Sequence, residues 1–160
     1  MARNFMPLMA AVLLLLVVAV ADASGRPVAG DPCSTTDFPV LCKSVVKGVK
    51  KPSAATAAAI KALLPLTQKA KAKAKKGKDD TCFSNFDSAI DNLQKSLKNI
   101  KENDGFSLNI NLSAALTDFE TCIDALEEGS PSSSDPIAKS ARLLRQMADN
   151  CLSLSTLLPH

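Results

Sequence analysis

Three stretches of the chain repeat apolar positions at steps of three and four. Cys82, Phe86, Ala89, Leu93, Leu97 and Ile100 make the first. Leu108, Leu112, Ala115, Phe119, Cys122 and Leu126 make the second, and Ile137, Ala141, Leu144, Ala148, Cys151, Leu154 and Leu158 the third. Such steps keep side chains on one face of a helix with 3.6 residues per turn, so each stretch predicts an amphipathic helix. A further helix precedes them. Ser53 is its candidate N-cap, followed by Ala54, Ala55, Ala57, Ala58, Ile60, Leu63 and Leu64, all helix formers or core residues. Pro65 lies in mid-pattern and predicts a kink, because it removes a backbone donor and crowds the turn before it. The helix should run into the lysines from Lys69 and stop near Gly77.

The breaks between stripes carry turn and cap chemistry. Asp79-Asp80-Thr81 suits a helix N-terminus, Asn103-Asp104-Gly105 a turn, and Asp135-Pro136 an N-cap followed by a first-turn proline. Glu127-Glu128-Gly129 and the Ser/Pro run 130–134 close the third helix. No segment sustains period-two alternation, so no sheet is expected. Four amphipathic helices on short loops predict an all-α fold, an antiparallel four-helix bundle over residues 53–158. The same stripes would serve a coiled-coil assembly of several chains, but short capped helices favour the intramolecular bundle. Before the bundle, residues 31–51 hold Pro39, Gly48 and a tight Cys33–Cys42 interval, which predict short helical turns.

Residues 1–23 follow a different rule. They contain Arg3, the unbroken apolar run Leu8 to Ala21, and a small-residue exit at Ala21-Asp22-Ala23. A charged start, a run of this length and such an exit predict a secretory signal peptide, with a signal-anchor as the alternative. The run is shorter than the 18 or more residues expected of a membrane span, and no later segment approaches that length. Removal of residues 1–23 takes away Arg3 and Asp22, so the net charge stays at +3. The remainder, Ser24 to His160, is one domain of 137 residues, large enough to bury a core.

Composition excludes several kinds of chemistry. Trp and Tyr are absent and aromatics total 4%, which argues against a nucleic-acid platform of stacked rings. The only histidine is His160, the last residue, and a terminal residue after Pro159 is expected to fray. No internal imidazole is left for a Ser-His or Cys-His nucleophile or for a histidine-based zinc site. No activated nucleophile, metal cluster, cofactor motif or phosphate loop is visible. Enzymes that use paired carboxylates are unsupported rather than excluded.

Cys33, Cys42, Cys82, Cys122 and Cys151 follow a secretory leader, so disulfides are expected. Five is an odd number, which leaves one thiol free or paired outside the chain. In an antiparallel hairpin turning near Asn103 to Phe106, Cys82 lies 22 residues before Asp104 and Cys122 lies 18 after it. At about 1.5 Å per residue the mismatch is about one helical turn, which the loop can absorb, and both cysteines sit on apolar stripes. Cys82–Cys122 is therefore the expected clamp of that hairpin and Cys33–Cys42 the local pair. Cys151, on the last apolar stripe, is expected as an inert buried thiol.

Two polar signals remain. The segment Gln68 to Lys78 carries six lysines, which read either as a solvated basic helix end complementing the helix dipole or as a site for a polyanion. Asn111-Leu112-Ser113 is a glycosylation sequon, placed inside a predicted helix.

Two motifs then resemble one family. They are Cys33-Ser-Thr-Thr36-Asp-Phe38-Pro39-Val-Leu41-Cys42 and Leu112-Ser-Ala-Ala-Leu-Thr117-Asp-Phe-Glu-Thr121-Cys122-Ile-Asp124, and with the leader they resemble the plant invertase and pectin methylesterase inhibitors. The second motif is the more telling, and the resemblance covers nearly all of residues 24–160. It implies a small N-terminal helical hairpin over 31–51 before the bundle, with bridges Cys33–Cys42 and Cys82–Cys122 and a lone fifth cysteine. It also implies a secreted, non-catalytic protein of the cell wall or apoplast, monomeric when free. Such a protein would form a one-to-one complex over the cleft of a wall enzyme, without cofactor, membrane or nucleic acid. The chain ends at His160, which suggests the free-standing type. Invertase-directed members tend to carry Pro-Lys-Phe in the loop between the second and third bundle helices, where this chain reads Asn103-Asp104-Gly105-Phe106-Ser107. A pectin methylesterase is thus the favoured target and acid invertase the alternative. Lys95, Ser96 and Asn99 are candidate contacts. A non-inhibitory wall protein holding anionic pectin through its lysines is the second alternative.

Overall fold

The computed structural model describes residues 30–129 and 135–159; the leader at 1–23, the run at 130–134 and His160 lie outside the described residues. A 3₁₀ turn at Pro32–Thr35 and the two-turn helix α1 at Pro39–Val46 precede four long helices. These are α2 (Pro52–Gly77), α3 (Asp80–Glu102), α4 (Gly105–Gly129) and α5 (Pro136–Ser155). Each long helix packs on the next in sequence, and α5 returns to pack on α2, closing an up-down-up-down bundle.

Local chemistry explains where the helices begin. Asp79 Oδ1 accepts from the Cys82 amide at 2.8 Å, Asp104 Oδ1 from the Ser107 amide at 2.9 Å, and Asp135 Oδ1 from the Ile137 and Ala138 amides. Each carboxylate satisfies donors that the helix leaves orphaned and faces the positive end of the macrodipole. Because Asp104 caps α4, that helix starts at Gly105, one turn before the first residue of its stripe. At α2 the expectation fails. Ser53 lies inside the helix, which starts on Pro52 with Lys51 as a cap that makes no side-chain bond. A proline's fixed φ and missing N–H suit the first helical position, so no hydroxyl cap is required.

The helix also continues through Pro65, which lies on its exposed side. Its end falls at Gly77. There Lys78, not glycine, takes the left-handed position (φ 56°), and the Asp79 amide donates to the Ala74 carbonyl at 3.0 Å. The five-residue-back bond satisfies a terminal carbonyl and reverses the chain into α3.

The core holds Ile60 and Leu63 from α2, Phe86 and Leu93 from α3, Leu108, Leu112 and Phe119 from α4, and Leu144 and Leu154 from α5, each essentially sealed from solvent. Phe86 and Phe119 meet across α3 and α4 with ring centroids 6.2 Å apart and tilted by 45°, within the range favoured by edge-to-face contact. Alanines at 55, 59, 70 and 74 line the inner face of α2. Buried hydroxyls do not disturb this interior, since those of Thr67 and Ser96 return to carbonyls one turn back, Leu63 and Asn92. Among the described residues no buried side-chain polar atom lacks a partner.

Two disulfides tie the structure. Cys82–Cys122 joins the first turn of α3 to α4, and Cys33–Cys42 joins the 3₁₀ turn to α1. Their loops span 40 and 9 residues, for which chain entropy gives roughly 4 and 2.5 kcal/mol. The arm that Cys33–Cys42 closes, the turn plus α1, buries both cysteines and Val46 in the common core, and one buried polar side chain fastens its backbone to the bundle. Asn150 on α5, only 2% exposed, accepts from the Phe38 amide at 3.1 Å and donates to the Phe38 carbonyl at 3.0 Å. A carboxamide offers donor and acceptor together, so it substitutes for a strand partner at an unpaired backbone unit.

Asn150→Ala strands both Phe38 groups and should cost about 2–3 kcal/mol, with faster amide exchange at residues 38–46 as the local signature. Replacing Cys82 and Cys122 together by alanine should cost about 3–4 kcal/mol, read from urea midpoints against the oxidised parent.

Candidate interaction surface

The long motif Leu112 to Asp124 lies wholly on α4, and the helix divides it by face. Leu112, Ala115, Phe119 and Cys122 point into the core, while Ser113, Thr117, Thr121 and Asp124 are exposed. The exposed four follow steps of four, four and three, so they form one polar stripe opposite the buried one. The stripe is stiff. Threonine has few rotamers in a helix, and the Thr121 hydroxyl already donates to the Thr117 carbonyl at 2.9 Å.

Both flanks of the stripe are tied to neighbouring helices. On the α3 side, Asn92 Nδ2 donates to Asp118 Oδ2 at 3.2 Å. Burial raises the pKa of Asp118 and hydrogen bonds from Ser88 and Asn92 partly oppose it. On the α5 side, Arg145 Nε reaches Glu120 Oε1 at 3.1 Å and an Arg142 terminal nitrogen reaches Glu127 Oε1 at 2.9 Å. Glu120, Ile123, Asp124, Arg142 and Arg145 line a shallow open cleft of about 360 Å³. Partly exposed ion pairs of this kind stabilise little, but they fix side-chain positions along the rim.

A cluster of carboxylates ends that rim. Burial raises the pKa of Asp149, helped by the negative charge of Asp37, while Arg145 acts in the opposite direction. Asp149 therefore resists ionisation in the folded state.

The residues singled out from the sequence are scattered. Lys95 is exposed on α3 and pairs with Asp91 one turn back. Ser96 and Asn99 do not share its surface: Ser96 is fully buried and Asn99 only 9% exposed. The Ser96 hydroxyl donates to the Asn92 carbonyl of its own helix, and Asn99 Oδ1 accepts from Asn111 Nδ2 of α4 at 2.8 Å. The proposed polar face of α3 thus loses two of its three members: Ser96 lies about 100° round the helix from Lys95, and Asn99, about 40° away, is taken up by its bond to Asn111 of α4. The same bond engages the amide nitrogen of the Asn111 sequon, inside α4. Cys151 is sealed from solvent, and burial pushes its thiol up to about 12. Asn150 and the outer threonines were not singled out as site residues. The amphipathic pattern did contain the threonines, as its non-core positions.

An apolar surface belongs to the arm, where Phe38, Pro39, Val40, Leu41 and Ser44 surround an open depression of about 500 Å³ and Val40 is 83% exposed. Among the described residues no group of three or more His, Cys, Asp and Glu side chains could hold a metal ion, and no helix is long and apolar enough to cross a membrane.

Fold and surface together define a disulfide-bonded helical bundle that presents rigid polar faces rather than an enclosed cleft. Residues 30–154 match the model of the plant invertase/pectin methylesterase inhibitor family, and the chain belongs to that family. A pectinesterase inhibitor of Actinidia deliciosa is 29% identical over 170 residues, spanning 92% of this chain and 91% of the relative. Pectinesterase inhibitor 1 of Arabidopsis thaliana is 27% identical over 79 residues, 49% of this chain and 44% of its own. The crystal structure of mutant form A of a pectin methylesterase inhibitor from Arabidopsis superposes with a TM-score of 0.71 at 20% identity, covering 80% of this chain and 95% of that one. A second, of a pectin methylesterase inhibitor from Arabidopsis thaliana, gives 0.63 at 19% identity over 80% and 93%. At those identities the likeness is one of fold.

A raised carboxyl pKa means the folded protein holds a proton that the unfolded chain has released. Stability attributable to Asp149 therefore falls as pH rises from 3.8 through the raised value, and the deficit persists above it. Asp149→Asn should raise the melting temperature at pH 7 by up to about 2 °C and leave it unchanged at pH 3, as read by calorimetry at both pH values.

Proposed function

We propose that this protein is a secreted, non-catalytic inhibitor that binds a pectin methylesterase one to one and covers its active-site cleft with the outer face of α4. The supporting observation is the division of the Leu112–Asp124 motif into a buried half that builds the core and an exposed half, Ser113, Thr117, Thr121 and Asp124, with no partner in the fold's interior. Family membership and relatives that are pectinesterase inhibitors point to the same class of target.

The physics of the surface suits tight association. Binding costs less ordering entropy when the contact side chains are already held, and here short threonines stand between two ion-paired or hydrogen-bonded flanks. Their hydroxyls both donate and accept, so they can match the polar rim of a carbohydrate-binding cleft. Residues 1–23 supply the route out of the cell, and the two disulfides suit an oxidising wall.

Acid invertase is the other target class of the family, and the Asn103–Ser107 turn without Pro-Lys-Phe argues for the esterase. The decisive assay places oxidised, purified protein against a plant pectin methylesterase and an acid invertase in parallel. The expected result is stoichiometric loss of esterase activity with invertase untouched. Thr117→Arg with Thr121→Arg should weaken esterase inhibition by about 100-fold or more, close to 3 kcal/mol, while the melting temperature moves by less than about 2 °C. Inhibition of invertase alone, or of neither enzyme at large molar excess, would overturn the reading.

A further inference from the structure

The six lysines at the end of α2 are not a single cloud of charge. At 100° per residue, Lys69, Lys73 and Lys76 share one side of the helix and Lys71 and Lys75 another, with Lys78 just past the helix end in the left-handed cap position. Thr67, Ala70 and Ala74, buried against the bundle, lie between the two rows. The neighbours of the rows differ. The second row faces α3, where Lys71 pairs with Asp87 and its ammonium lies 4.9 Å from the Phe83 ring centroid. The first row faces α5, where Lys73 Nζ donates to Ser140 Oγ at 3.0 Å.

Few acids lie near the first row, and none among the described residues pairs with it. Helix α2 contains no Asp or Glu, and before Asp149 the α5 end has only its N-cap Asp135, whose carboxylate accepts from the Ile137 and Ala138 amides. Among the described residues Lys69, Lys73 and Lys76 make no salt bridge, and Lys139 adds its charge beside Ser140. The two helix ends are in contact, since a β-carbon at Gly77 would lie 3.1 Å from Ile137 Cδ1. Leu66 and Leu143, 40% and 42% exposed, border the same side. The result is a cationic row about 10 Å long on a helix–helix face, with apolar side chains at its edge.

We infer that the Lys69–Lys73–Lys76 row on the α2–α5 face is a binding site for a linear polyuronate, the carboxylate-rich chain that remains when pectin methyl esters are hydrolysed. The inference rests on the esterase reading for the identity of the polyanion. Its chemistry is otherwise set by the row. Lysine ammoniums are mobile, well-hydrated point charges that suit carboxylates strung along a chain, whereas phosphate recognition favours the bidentate guanidinium, and α2 has no arginine. No aromatic ring occurs in α2 for bases to stack on, which disfavours single-stranded nucleic acid. The row is separate from the threonine stripe of α4. Each ester hydrolysed by the target creates one carboxylate, so the inhibitor would gather where the enzyme has already acted. Product would thus recruit the block on its own formation.

The full disulfide-bonded protein should be titrated with polygalacturonate and with highly methyl-esterified pectin at about 50 and about 300 mM salt. Expected are binding to polygalacturonate alone and at least a tenfold loss of affinity at the higher salt. The triple variant K69Q/K73Q/K76Q should lose at least tenfold at low salt, and K71Q/K75Q/K78Q no more than about threefold. Equal binding to esterified pectin, equal losses from the two triples, or tighter binding to single-stranded DNA of matched charge would each overturn the site. Inhibition of the esterase on a short soluble substrate should stay within about twofold in K69Q/K73Q/K76Q. Polyuronate binding by a parent protein that fails to inhibit any esterase would sink the inhibitor reading and leave the lysine site standing.

Discussion

Everything presented on the surface depends on the register of α3 against α4. The Cys82–Cys122 bond holds one end of that pair, with Cα atoms 4.6 Å apart, and the Asn99–Asn111 bond holds it near the turn. Between them Phe86 packs on Phe119. A slip of one residue would rotate the facing side chains by about 100° and carry the outer threonines of α4 toward a neighbouring helix. The covalent tie also works against the unfolded chain, which matters for a protein whose core contains few aromatic rings and many alanines. With small residues at the contacts, the helices approach closely, and dispersion over many atoms replaces bulky side chains.

The N-terminal arm depends on a second, weaker constraint. Its 3₁₀ turn and α1 are too short to be stable alone. The Cys33–Cys42 bond closes the arm on itself and Asn150 fastens it to α5. An inhibitor that meets its target as a rigid body needs both ties, because a loose arm would add ordering entropy to each encounter. The arm also keeps Val40 and its neighbours in water, and Val40 is the most exposed of the large apolar side chains among the described residues.

Much of this was legible along the chain. The three stripes at steps of three and four mark α3, α4 and α5, since amphipathic periodicity follows from helix geometry alone. Asp79, Asp104 and Asp135 were readable as cap or turn residues because a carboxylate next to orphan amides acts over two or three residues. Ser53 misled for the same local reason: Pro52 occupies the first helical position and makes a hydroxyl cap unnecessary. The lysine run was readable as charge but not as two rows, because the rows are told apart by what α3 and α5 place beside them.

The residues by themselves determined an all-α bundle, the aspartate-marked starts of α3 and α5, its buried stripes and a chemistry without an internal imidazole, because each follows from spacing or composition. Only the tertiary structure decided which polar residues are surface. Ser96 and Asn99 look solvent-facing as letters, yet both are buried, Asn99 against Asn111 of α4, and Asn150 looks unremarkable until Phe38, 112 positions away, lies against it. Burial of a polar group is a property of the neighbour across the interface, and that neighbour is set by how helices distant in sequence come together.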